Sequence, residues 1–197
     1  MAMDREERVA WLQDHLKKKR FRHSLAVEAE AGAMAARFGL DEEKARRAGL
    51  AHDAAKNLST DDQRAAMEAD GFEADEYFRL SPSLYHGPAG AWVARQIMGE
   101  EDPEVLDAIR WHTIPSTDPQ PLAKVLLIAD MIEPDRDFPG VRELRAAAAR
   151  DLDEAFLLAL ASPMIFELQK MHIVHPNTLT VYNRMLALKT GRQNDTI

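Results

Sequence analysis

The sequence predicts an all-α protein, a single-domain helical bundle, on three observations. Apolar residues recur at three- and four-residue spacing in segments 9–16, 25–38, 45–55, 91–98, 105–111, 122–132 and 152–168, the repeat of one helix face. Gly39, Gly71, Gly99 and Gly140 stand where that repeat stops, as helix ends and turns require. No long alternating strand pattern competes with it.

Helix starts are marked as well. Asp41 precedes EEKARRAGLA, Asp151 lies three residues before Glu154 in the pattern of a capping box, and Pro103, Pro121 and Pro176 occupy first-turn positions. With 197 residues and 46% hydrophobic content, the chain is long enough for one substantial core. No repeat, low-complexity stretch or linker-like shift divides it, so residues 1–197 are expected to form one domain. Trp11, Trp92, Trp111 and the methionines fall at helical spacing and read as core.

Composition removes several function classes. The chain has no cysteine, which rules out disulfides, thiolate ligands and a thiol nucleophile, so any metal must be held by His, Asp or Glu. A net charge of -8 argues against nucleic acid as a partner, yet a local basic patch could hold a phosphorylated small molecule. The opening MAMDREERVAWLQ is charged, and no apolar run approaches the roughly 20 residues that span a bilayer. A cytoplasmic protein without a membrane partner is the expectation.

Several polar residues then stand out against the helical pattern. The inward face of FRHSLAVEAEAGAM runs through Ala26, Val27 and Met34 and reaches back to His23; alone, His23 reads as a hydrogen-bonded core imidazole. His52 continues the face of Ala45, Ala48 and Gly49, and Asp53 follows it in a helix of small apolar residues. An ionised carboxylate there needs a counter-charge or several hydrogen bonds. Asp130 interrupts the apolar run VLLIADMIEP, where the helix should be covered on most sides. An arginine could pair with Asp130, but His23, His52 and Asp53 also lack a partner, and the four together make an N2O2 metal site. Imidazoles mixed with hard oxygens suit Fe, Mn or Co at least as well as tetrahedral Zn. His86 in SLYHGPAG opens a helix and His112 in AIRWHT ends one; both could face the same cavity, or serve as a helix cap and as a C-terminal histidine favoured by the helix dipole.

In order, His23, the His52–Asp53 doublet, His86, His112 and Asp130 resemble the H…HD…H…H…D pattern of the HD phosphohydrolases. The segments KRFRHSLAV, AGLAHDAAK, HGPAGAWVA, AIRWHT, IADMIEPDRDFPGV and IVHPNTLTVYN narrow the resemblance to the YqeK family of HD proteins, over about residues 8 to 188. The resemblance implies an HD metal-binding core at about 20–135, completed by C-terminal helices at about 140–190. It implies symmetrical hydrolysis of diadenosine tetraphosphate to two ADP, with an iron-type divalent ion held by His23, His52, Asp53 and Asp130. His86 and His112 become ligands of a second ion or contacts to the phosphate that is cleaved.

On this reading Asp53, Lys56, His86 and His112 carry catalysis. Substrate contacts fall to Arg20, His23, Lys56, His86, His112, Asp130 and Arg136, with Met171, His172 and His175 walling the nucleoside pocket. Bound metal lowers the pKa of water and polarises a phosphoryl oxygen, so no side-chain nucleophile is required. Arg20 lies three residues before His23, Lys56 three after Asp53, and Arg136 in EPDRDFPG; away from ligand-bearing segments each would read as a solvated surface cation, and His172 and His175 as loop and cap residues. Two rival functions share the same ligands: an HD phosphohydrolase of mononucleotides, and a non-catalytic nucleotide-binding helical domain with a structural metal. A homodimer is expected from the family alone.

Overall fold

Side chains that accept from otherwise unpaired amides open most of the helices. In the computed structural model, which describes residues 2–194, α1 (Arg5–His15) starts on Asp4, α3 (Glu42–Ala51) on Asp41 and α4 (Thr60–Ala69) on Ser59. In the same way α5 (Glu76–Leu80) starts on Asp75, α7 (Pro103–Arg110) on Asp102 and α10 (Leu152–Gln169) on Asp151. The remaining helices are α2 (Lys18–Arg37), α6 (His86–Gln96), α8 (Pro121–Ile132), α9 (Val141–Ala148) and α11 (Pro176–Asn194). Pro103, Pro121 and Pro176 are the first residues of their helices, and Gly39, Gly71, Gly99 and Gly140 all take positive φ. No strand occurs among the described residues, so the class is all-α. Residue 1 and residues 195–197 of the expected 1–197 span lie outside them.

Three details differ from the sequence expectation. Helices α4 and α9 carry too few large apolar residues, in TDDQRAAMEA and VRELRAAA, for a periodic signal to register. Glu154 pairs with Arg150 at 3.5 Å rather than closing a capping box on Asp151, whose side chain caps the amides of Asp153 and Glu154 alone. Helix α3 ends at Ala51, so His52 is its C-cap and Asp53 sits in the following turn rather than on the helix.

The core is organised around α8, which packs against α2, α3, α7, α9 and α10. Leu122, Val125, Leu126, Ile128 and Ala129 of α8 are buried by them, which explains a helix apolar on almost every side. Its C-terminal turn carries Asp130 to the place where the ends of α3 and α7 and the start of α6 converge. A second apolar cluster of Met67, Phe78, Tyr85 and Ile114 supports that junction from below. Trp11 and Trp92 pack on the main core and Trp111 on the second cluster. Among the described residues no helix is long and apolar enough to cross a membrane.

Helices α2 and α3 touch backbone to backbone. A Cβ added to Gly49 would stand 2.9 Å from both Glu28 Cα and Val27 O, atoms that cannot move without moving a helix. Gly49→Ala should therefore lower the melting temperature by about 2–10 °C, the effect of overpacking by ~1–3 kcal/mol. Gly191, whose added Cβ meets nothing within 4 Å, is the control. Circular dichroism melts measure both, and an unchanged melt in Gly49→Ala would mean that the helices are not held this close.

Candidate metal centre

Three of the four central histidines are oriented by one local device. His52 Nδ1 donates to Gly49 O at 2.7 Å, His86 Nδ1 to Ser83 O at 2.6 Å and His112 Nδ1 to Ile109 O at 2.7 Å. Each acceptor is the carbonyl three residues earlier, close to where a helix ends or starts. A carbonyl accepts only, so Nδ1 carries the proton and Nε2 presents its lone pair to the centre. His23, on α2, is held differently: its Nδ1 donates to Glu133 Oε1 at 3.1 Å, and its Nε2 lies 3.0 Å from Asp130 Oδ1 and 3.2 Å from His52 Nε2. His52 can approach so closely because α6 passes over it at Gly90, where a Cβ would stand 2.9 Å from His52 O.

Asp53 lies at the middle of this ring. Its Oδ2 accepts from Arg20 Nη1 at 2.5 Å and stands 3.3 Å from His52 Nε2; its Oδ1 faces His86 Nε2 at 3.5 Å and His112 Nε2 at 3.8 Å. Oδ1 is buried and accepts no hydrogen bond, and the Nε2 atoms of His23 and His52 turn lone pairs toward each other. Both features call for a cation. Two groupings bring their ligand atoms within 4.8 Å of one another: His23, His52 and Asp130, and His52, Asp53 and His112. The donor set is therefore able to hold a divalent ion.

The electrostatics agree. Burial opposes the charge on Asp53, yet the adjoining His52 outweighs it and holds the carboxyl well below its usual range. For Asp130 burial is likewise overcome, by His23, His52 and Arg136. Burial pushes His86 down to about 3 and His112 down to about 4, leaving both imidazoles neutral and available as donors of a lone pair. Burial also lowers Lys56 from the ordinary lysine value; its Nζ donates to His86 Nε2 at 2.9 Å.

Two cavities meet at this centre. A cationic one of about 390 Å³ is lined by Lys17, Lys19, Arg20, His23, Lys56, Asn57, Glu133, Asp135 and Arg136. A larger, more apolar one of about 680 Å³ includes His112, Ile114, Asp130, Met131, Leu160 and Met164, with His172 and His175 on its wall. Arg20 and Arg136 thus stand in the cationic cavity while pairing with Asp53 and Asp130. Of the 171–175 loop, His175 is buried against Asp75 at 3.0 Å and His172 pairs with Glu167 at 2.7 Å. Met171 is not brought to the site: it takes the left-handed turn that ends α10, is 93% exposed and lines neither cavity.

Two residues were not legible from the pattern. Glu133 is buried and orients His23, and its other oxygen accepts from Asp135 N at 2.7 Å. Arg145 of α9 donates to Ile132 O, Glu133 O and Arg136 O at 2.8–2.9 Å, fixing the turn that carries them. The signal for Glu133 was its place three residues after Asp130 at the end of an apolar helix; Arg145, a dozen residues downstream, left none.

Comparison with known proteins places this geometry in context. The family model described as HD domain matches residues 20–135. A relative from Bacillus subtilis (strain 168), named "Bis(5'-nucleosyl)-tetraphosphatase, symmetrical", is 35% identical over 94% of this chain and 99% of its own. One of the same name from Staphylococcus aureus (strain NCTC 8325 / PS 47) is 30% identical over 94% of this chain and 92% of its own. A solved structure from Clostridium acetobutylicum, described as a predicted HD superfamily hydrolase involved in NAD metabolism, superimposes with a TM-score of 0.91. It is 35% identical and covers 95% of this chain and 99% of that one.

Because Glu133 fixes the tautomer and tilt of His23, Glu133→Gln should weaken divalent-metal binding roughly 10- to 100-fold. Competition with a chromogenic chelator measures it, and an affinity equal to that of the unaltered protein would remove Glu133 from the centre.

Proposed function

This chain belongs to the HD domain family, and we propose that it hydrolyses dinucleoside polyphosphates symmetrically, cleaving diadenosine tetraphosphate to two ADP. The observation that carries the reading is the convergence of His23, His52, Asp53 and Asp130 on one point between a cationic and an apolar cavity. The names of the relatives support the substrate. We read residues 1–197 as one domain, with the core at about 20–135 and the C-terminal helices at about 140–190 closing the larger cavity.

His23, His52, Asp53 and Asp130 would hold the ion, and the mixed imidazole and carboxylate set favours iron, manganese or cobalt over zinc; iron is our assignment. When bound, a divalent metal brings the pKa of its water toward neutrality and polarises a phosphoryl oxygen. One ion is expected rather than two, because Lys56 Nζ already takes the His86 Nε2 lone pair. His86 then serves to hold Lys56 toward the centre, and His112, neutral and locked through Ile109 O, joins Asp53 in orienting what binds there.

The cations divide between two tasks. Arg20 and Arg136 neutralise Asp53 and Asp130 through one edge of each guanidinium and offer the rest to the polyphosphate in the cationic cavity. Lys56, partly desolvated, stabilises the charge that develops on the departing phosphate. One nucleoside occupies the larger cavity, against Ile114, Met131 and Leu160, with His172 and His175 at its wall.

Two outcomes are expected. Chromatography of an early time point should show two ADP from diadenosine tetraphosphate, with oxygen-18 from labelled water in one of them; equal ATP and AMP would overturn the register, and cleavage of mononucleotides alone would favour the rival HD activity. Lys56→Ala should keep its metal yet lose about 10²- to 10³-fold in kcat, and loss of metal in that variant would contradict its role.

A further inference from the structure

Resting on the reaction proposed above, we infer that a second apolar cavity between α8 and α10 seats the other nucleoside of the substrate, with Phe166 as its stacking platform. This cavity, of about 550 Å³, is lined by Phe138, Pro139, Ile165, Phe166 and Gln169, and it shares Asp130, Met131 and Pro163 with the 680 Å³ cavity. The two therefore adjoin along a shared wall, and that wall carries a candidate metal ligand. Arg136 stands at the mouth of the second cavity as well as in the cationic one.

The sequence of α10 accounts for the pair. LDEAFLLALASPMIFELQ has a mostly apolar middle, AFLLALASPMIF, with Pro163 inside the helix, where one amide is missing from the ladder. Beyond Pro163, Met164 and Glu167 face the larger cavity while Phe166 and Gln169 face the smaller. Phe166 is 54% exposed and Ile165 equally so, two adjacent large apolar side chains left open at this wall. Lys170 Nζ lies 5.8 Å from the Phe166 ring centroid, so a further cation stands beside this wall.

The occupant follows from the chemistry between the cavities. Cleavage at the centre of a tetraphosphate leaves an identical nucleoside diphosphate on each side of the reacting bond. A protein that seated only one of them would accept any tail on the other. Two seats of similar character that share a wall carrying a candidate metal ligand, one of them sharing Arg136 with the cationic cavity, select a substrate with a base at both ends. An aromatic ring beside a polar amide, Gln169, suits a base that stacks and presents its edge.

The test compares kcat/KM for diadenosine tetraphosphate with that for adenosine 5'-tetraphosphate, which lacks the second nucleoside, in the metal-loaded protein. The unaltered protein should prefer the dinucleoside. In Phe166→Ala that preference should fall roughly 5- to 100-fold, and Phe166→Trp should retain it. An equal preference in all three proteins overturns the inference while leaving the proposed reaction intact; an unaltered protein that hydrolyses neither compound defeats both. A drop in mass by light scattering in Phe166→Ala, with the preference unchanged, would make the surface a contact between copies of the chain and overturn the second seat.

Discussion

The structure depends on keeping one carboxylate ionised where water hardly reaches it. Asp53 is buried, one of its oxygens has no hydrogen-bond partner, and four imidazoles and an arginine surround it. Such a charge is tolerable only if the surroundings are organised for it in advance. Organisation here means that every imidazole proton points away. Three histidines spend theirs on backbone carbonyls and His23 spends its own on Glu133, so what remains facing inward is a set of lone pairs and carboxylate oxygens.

That arrangement constrains the fold. The carbonyls that lock His52 and His112 belong to residues near the C-terminal ends of α3 and α7, where peptide oxygens are free. The same helix ends must then meet at one point, and the close passage of α2 over Gly49 and of α6 over His52 is how they do so. The outer edge of the centre is built from cations. Arg20 and Arg136 balance the carboxylates, and because both lie in an open cationic cavity the same groups are accessible to phosphate. Arg145 ties the turn after α8 through three carbonyls, so Glu133 and Arg136 keep their positions beside His23 and Asp130.

Much of this was legible in the sequence. The helical class follows from periodicity, and the polar residues that break the apolar pattern, His23, His52, Asp53 and Asp130, are those the fold gathers, because a buried polar group without a reason is costly. The placement of Asp53 in a turn was not legible: the small-residue run AGLAHDAAK reads equally well as continuing helix. Nor was Glu133, since a carboxylate at the end of a helix is usually solvated. An arginine partner for Asp130 was weighed and set behind a metal ion, and the structure pairs Asp130 with Arg136, a residue read only as a substrate contact. Met171 shows the opposite failure, a residue assigned by its segment whose side chain the turn geometry directs into solvent.

On this geometry one divalent ion would sit among His23, His52, Asp53 and Asp130. Anomalous diffraction from crystals of the purified, metal-loaded protein, collected on both sides of the iron absorption edge, would locate it. A single anomalous peak is expected within bonding distance of His23 Nε2, His52 Nε2 and both carboxylates, with Lys56 still against His86. A peak elsewhere, or active crystals with none, would contradict it.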